Sequence, residues 1–450
     1  MVNLSTMQLV EKICSYKKYF SEIINLSIPL IVGNLGQVLV GATDVFIAAK
    51  HSTNTLAAIS IANSIIFCIL IMGMGLMSAI SILISNYRGN RKPTKKFLIT
   101  VLNYSMILAV IFCLICLLMV PLIPKMGFDP ILVPMIKEYV FICAFSLFGM
   151  YLYQCLREFL MAYEIVTFPN LILVFALILN FVLAYSLVFG LGPIPGMGVI
   201  GLALAAFIVR TLMGLVLLVY CFDLIHFKNP FDTNLVKQLL KIGYPIGIAM
   251  FLEFLGFNLI TILVGREAGI LAATHNIGVT ITSSAYVIPM SISAAIAIKV
   301  GFFNGAKNLK EIKRYSFSGT SMSVIFMAFC SVALLAFPKT IFEIFTNNPQ
   351  MLKLGLPILH IAAFYLMFDG LQVSLSGILK GLKMTKIASI SLIAGYWLFG
   401  LPFGYMLAYH YKMSLNGFWI GLATSFLFMC AIFAVVIYKK FKELKKVYSD

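Results

Sequence analysis

The sequence predicts an all-α integral membrane protein of about twelve transmembrane helices, arranged as two six-helix pseudo-repeat bundles. Three observations carry this. Hydrophobic residues make up 61% of the chain and the mean hydropathy is +1.02, against roughly 45–50% apolar content in ordinary soluble domains. Lys and Arg gather in alternate connections between the apolar runs. The second half of the chain repeats landmarks of the first in register.

A helix needs about 20 apolar residues to cross a hydrocarbon core of about 30 Å. By that measure spans are expected near 24–48, 56–85, 97–122, 132–160, 168–190, 197–222, 239–265, 271–303, 315–337, 351–379, 387–410 and 415–438. The expected division is an N-terminal cytoplasmic or interfacial segment over 1–23, an N-lobe over 24–222 and a cytoplasmic linker over 223–238. A C-lobe over 239–438 and a basic cytoplasmic tail over 439–450 complete it. The linker is the longest markedly polar connection and carries Pro230.

The opening stretch MVNLSTMQLVEKICSYKKYF has no short apolar core with a small-residue cleavage site, so no removal is expected. Leu9, Ile13, Tyr16, Phe20 and Ile23 recur at three- and four-residue spacing. That suits an interfacial helix on the cytoplasmic leaflet, or equally a frayed start to the first span.

The net charge of +17 does not form one basic domain, which argues against a nucleic-acid partner. It follows topology instead. Of the Lys and Arg assigned to connections, 24 fall in one alternate set and 7 in the other. By the positive-inside rule the rich set is cytoplasmic. Both termini are then cytoplasmic, the number of spans is even, and the chain is a multi-pass protein of the cell membrane.

The nine cysteines are scattered through apolar runs, and Cys113 and Cys116 match C-x-x-C only by letters. Free buried cysteine usually packs. His51, His226, His275, His360 and His410 show no ligand spacing, so no His or Cys metal centre, redox site or cofactor is expected.

Shifting the chain by 216 positions brings Pro29 to Pro245, Ala57 to Ala273, Ala79 to Ala295 and Gly89 to Gly305. A second match, offset by 218, brings Gln154 to Gln372 and Thr167 to Thr385. Halves of six spans keep the same orientation, because six is even. Such repeats place substrate and ion sites near the midplane, and rocking of one bundle against the other gives alternating access.

Three carboxylates interrupt the spans: Asp44 in GATDVFIA, Glu253 in MFLEFLGFN and Asp369 in YLMFDGLQ. An acid at that depth is costly and points to function. Under the repeat they align with Ile260, Gln37 and Tyr151, so none has an acidic counterpart. Tyr365, Asp369, Gln372 and Ser376 share one helix face by spacing. Their oxygens suit a hard cation, so Na⁺ is a candidate at Asp369 and Tyr365. Phe257, four residues after Glu253, offers either a cation–π surface or ordinary packing. Gln37 lies one heptad before Asp44, and Asn63 lies on the next span. Asn180 sits in a wholly apolar run and needs a partner. Asp44 is one candidate, and a plain tie between helices is the other. A buried carboxylate can also exchange a proton without help from histidine. Two bases lie at depth: Lys299 is expected to snorkel, and Arg210 to neutralise an acid that spacing does not identify.

These segments, with AATHNIG leading to AIKVGFFNGAKN and with YLMFDGLQVSLSGILKG, resemble the multidrug and toxic compound extrusion (MATE) transporters of the NorM-type branch over nearly the whole chain. The resemblance implies a MATE/MOP-like fold, no enzymatic activity, and antiport of Na⁺ or H⁺ against amphipathic, often cationic drugs. It carries the family's cation site onto Glu253, Asp369 and Tyr365, and the first-lobe proton or ion site onto Asp44 with Asn180. Phe181, Val182, Leu183 and Ala184 follow Asn180, so a second first-lobe acid found in some members is missing. Export of small organic cations by a monomer is the reading adopted. A lipid-linked-precursor flippase would want a cationic cavity, and an intramembrane enzyme would want a nucleophile with a base.

Overall fold

The computed structural model describes residues 4–191, 195–224 and 231–448, with side chains from Tyr16 onward. Twelve helical segments among them are long and apolar enough to cross a membrane. In order they are α1 (Leu4–His51); α2 (Thr53–Met77) continued by α3 (Ala79–Gly89); α4 (Leu98–Met119); α5 (Leu132–Met161); α6 (Thr167–Phe189); and α7 (Val199–Tyr220). The second half supplies α8 (Thr233–Glu267), α9 (Gly269–Gly305), α10 (Leu309–Ala336), the short connecting α11 (Pro338–Glu343) and α12 (Pro349–Gly381). The eleventh span is composite: α13 (Thr385–Ile393), a π-turn segment over Ala394–Gly400, α14 (Leu401–Tyr405) and a second π-turn segment over Met406–His410. The chain then turns into α15 (Leu415–Val447). No strand occurs among the described residues.

Local chemistry sets several boundaries. The Ser52 hydroxyl accepts from the Thr55 amide at 3.0 Å and starts α2. Asn348 does the same for Gln350 and Met351, with Pro349 opening α12. Residues 233–238 of the expected linker already belong to α8, and residues 225–230 lie outside the described residues. The N-terminal segment continues into the first span as one helix in which Ile23 is buried. Leu9 and Ile13 lie where side chains are not described.

By packing, the chain forms two compact units. One holds Pro29–Ile84 and Lys92–Phe251; the other holds Met1–Ile28, Ser85–Arg91 and Leu252–Asp450. The partition therefore falls within α1 and within α8. In the first unit α5 is central, buried almost continuously from Tyr139 to Met161 and packed on α2, α4 and α7. In the second unit α12 is central, packed on α9, α10 and α15. Outward residues such as Leu118, Phe175, Phe329 and Val332 are exposed. That is the surface expected of helices solvated by lipid.

In the second unit the end of α3 crosses the end of α9 without room for a side chain. A Cβ on Gly89 would lie 1.8 Å from the Phe302 carbonyl oxygen, and one on Gly305 would lie 1.9 Å from that of Asn86. These four residues are related by the 216-position repeat.

One sequence expectation about a basic residue needs correction. Lys299 does not snorkel: it is 7% exposed, and its Nζ donates to Glu22 Oε2 at 2.8 Å. Arg157 lies within α5, which continues to Met161. Its guanidinium is buried and donates to Asn170 Oδ1 at 3.0 and 3.2 Å and to Asn34 Oδ1 at 3.1 Å.

Candidate functional site

The first unit holds Asp44. The side chain is 4% exposed, and its Oδ1 accepts from Asn180 Nδ2 at 2.7 Å. Asn180 also reaches Thr43 Oγ1 at 3.4 Å, while its own Oδ1 has no partner among the described residues. The run ALILNFVLAYSL thus resolves in favour of Asp44 as the partner of its one amide. Arg210 lies within electrostatic reach of Asp44 and is held by a 2.8 Å hydrogen bond to Ser146. The acid that Arg210 balances is therefore Asp44.

Two other expected neighbours stand apart. Gln37 is two helical turns from Asp44, and its Nε2 turns to Met74 Sδ at 4.0 Å. A rise of 1.5 Å per residue puts seven residues about 10 Å apart, beyond a direct bond. Asn63 accepts from Tyr139 at 2.9 Å. Tyr139 in turn feels both Asp44 and Arg210, so Asn63 joins the cluster at second hand.

The second unit holds Glu253 and Asp369. The two carboxylates act on each other electrostatically, and both act on Tyr286 and Tyr396. Glu253, half-buried on α8, accepts one hydrogen bond, from the Tyr396 hydroxyl at 3.0 Å. Asp369, 6% exposed on α12, receives no hydrogen bond among the described residues. Tyr365, Gln372 and Ser376 are buried on the same helix at 5%, 4% and 2% exposure. Tyr365 stacks on Phe426 with centroids 5.2 Å apart, and its hydroxyl lies against Thr282. Phe257 meets Tyr396 edge-on at 6.0 Å, so its packing role is occupied.

The result is two acids inside a tyrosine ring. No basic side chain hydrogen-bonds either acid among the described residues, although Lys380 acts on Glu253 at longer range. Like charges in one site repel, and a cation relieves that repulsion. Carboxylate and phenol oxygens are the ligands a hard monovalent cation prefers, and the aromatic faces suit an organic one.

Tyr396 and Tyr286 were missed from the sequence. Tyr396 stands in the first π-turn segment, in AGYWLFG, an aromatic stretch like many others in the chain. The neighbouring Trp397 Nε1 donates to the Leu252 carbonyl at 3.1 Å, which fixes this segment against α8 beside Glu253. A π turn shifts the register of the residues after it, and such turns often mark functional sites. The usable signal was the Gly395 and Gly400 pair flanking aromatics before Pro402.

The MatE family profile matches residues 29–186 and 245–406. A probable multidrug resistance protein NorM of Acinetobacter baylyi is 28% identical, covering 96% of this chain and 99% of its own length. A protein of the same description from Bacillus subtilis is 27% identical, covering 96% and 98%. Among solved structures, a Vibrio cholerae MATE transporter superposes with a TM-score of 0.89 at 16% identity, covering 97% of this chain and 100% of that one. A eukaryotic MATE transporter superposes at 0.84 with 19% identity, covering 96% and 99%.

Proposed function

The chain belongs to the MatE family of membrane transporters and is not an enzyme; from that premise we propose that it exports organic, often cationic amphipathic compounds in exchange for Na⁺ or H⁺. Glu253 and Asp369, with Tyr365, Tyr286 and Tyr396 around them, hold either the coupling cation or the cationic compound. Because one negative site serves both, occupancy by one expels the other. Alternating access between a cytoplasm-open and an outward-open state then turns that competition into export. Asp44, tied to Asn180 and balanced by Arg210, serves as a protonation switch in the N-lobe.

The observation that supports this reading best is the mutual influence of Glu253 and Asp369 within one tyrosine ring, with no basic group bonded to either. A flippase for anionic lipid-linked precursors would require the opposite polarity there. The names of the relatives support drugs as the class of compound. We place both termini in the cytoplasm on the distribution of Lys and Arg, and we take the working unit to be a monomer.

The test has two parts. Proteoliposomes under an imposed Na⁺ gradient alone and a pH gradient alone identify the coupling ion by which one drives ethidium movement. In cells lacking other pumps, ethidium efflux should collapse in Glu253→Gln and Asp369→Asn. Unchanged efflux in both variants would remove these acids from the mechanism.

A further inference from the structure

One buried titratable side chain has no part in the site described above. His275 on α9 is 0% exposed, and neither Nδ1 nor Nε2 has a hydrogen-bond partner among the described residues. His51, His360 and His410 are all exposed. The imidazole meets Trp419 of α15 edge-on at 5.8 Å, and Trp419 lies 5.9 Å from Tyr365 of α12. Trp419 Nε1 and Asn416 Oδ1, three residues apart on one face of α15, are also buried and have no partner among the described residues. The Phe257 carbonyl faces the His275 ring and also accepts from Thr261 at 3.2 Å.

Four unsatisfied polar atoms from three side chains in one layer are an exception in a folded protein, where buried polar groups are almost always bonded to protein or to water. Their chemistry is complementary to water: an indole donor, an amide acceptor, and a ring with one donor and one acceptor. The position of the layer gives it a use. Phe257 is four residues beyond Glu253 on α8, and Tyr365 is four residues before Asp369 on α12, so the layer lies one helical turn, about 6 Å, from the acid pair. It lies on the side of the helix ends that carry Glu267, Gly269, Pro349 and Leu415. Of the other titratable groups around it, Tyr365 and Asp369 come from α12, Glu253 from α8, Tyr286 from α9, Cys330 from α10, Tyr396 and Tyr409 from the eleventh span and Cys430 from α15.

We propose that His275 is a proton carrier that, through water held by Trp419 and Asn416, links the acid pair to the less basic ends of these helices. The proposal rests on reading Glu253 and Asp369 as the ion-coupling site. A proton arrives at one ring nitrogen from water, the proton on the other nitrogen passes by water to Asp369, and the ring is left as its alternate tautomer. Charge is conserved at each step, and no other reagent is required.

The test compares the wild-type chain, His275→Gln and Asp369→Asn in proteoliposomes, reading ethidium movement, lumenal pH and ethidium affinity. For His275→Gln we expect pH-driven exchange to fall by about tenfold or more, the scale of losing one proton-transfer group, with ethidium affinity unchanged. Exchange near the wild-type rate overturns the carrier, as does a wild-type chain driven by Na⁺ alone. If Asp369→Asn keeps full transport under every gradient, the acid-pair reading fails instead, and the carrier with it. A variant that fails to fold leaves a second measurement on the wild-type chain, radiolytic hydroxyl labelling. Bound water should make buried His275 and Trp419 label, and protection equal to that of the dry core residue Phe342 overturns the proposal.

Discussion

The Tyr396 hydroxyl donates to Glu253 Oε1 at 3.0 Å across 143 residues of sequence, from a π-turn segment to the middle of α8. It is the one hydrogen bond that Glu253 or Asp369 receives among the described residues. Tyr396→Phe should keep the ring's packing on Phe257 and Phe426 and lose only that bond. Since a hydrogen bond to a charged group contributes about 1.5–3 kcal/mol and this one stabilises the ionised acid, its loss should lower the proton concentration giving half-maximal transport by about tenfold or more. Transport titrations with Na⁺ and with pH check this, with an unchanged melting temperature as the control.

At Asp44 the charge and the hydrogen bond can be separated. Asn180→Leu leaves a buried carboxylate without its donor, which should destabilise the first unit by about 1–3 kcal/mol. Asp44→Asn should cost less stability and still abolish proton-dependent efflux. Melting curves in detergent, set beside efflux assays, distinguish the two. Equal destabilisation by both would count against a switch.

Lys299 and Glu22 make a third case. Glu22 accepts from Lys299 Nζ at 2.8 Å and from the Tyr315 hydroxyl at 2.5 Å. Removing one partner of a buried pair costs about 3–5 kcal/mol, and less is expected here because the Glu22 side chain is 30% exposed. Lys299→Met combined with Glu22→Gln should therefore recover much of the stability lost in Glu22→Ala. Thermal unfolding of the single and double variants measures that coupling.

Gly89→Ala and Gly305→Ala should be the most damaging small substitutions at the crossing of α3 and α9. Each Cβ would press on a backbone carbonyl at under 2 Å, and overpacking of even ordinary contacts costs about 1–3 kcal/mol. Both variants should give little folded protein by fluorescence-detected size exclusion, with similar losses. A normal profile for either would mean that the helices can part at no cost.

The spans were legible because burial in lipid writes itself into every residue of a helix, and the three acids because each breaks such a run. Pairing between distant helices was legible only where one polar group stood alone, as with Asn180. Lys299 was misjudged because its partner lies 277 residues away, and the spacing around it carries no trace of Glu22. Gln37 was overvalued for the opposite reason. Heptad spacing puts it on the Asp44 side of α1, but a shared face does not shorten two turns of helix. Tyr396 was hidden because a π turn is a property of the backbone, and no single residue type demands it.

The mutual approach of Gly89 to Phe302 and of Gly305 to Asn86 has a bearing on origins. Residue i touches j while the repeat equivalent of i touches the equivalent of j, the signature of an isologous contact between two identical subunits. A chain of six spans meeting its own copy would make this contact twice. Two such copies joined in one polypeptide would hold that seam inside the chain. Freed from identity, its halves could diverge, one keeping Asp44 and the other Glu253 with Asp369.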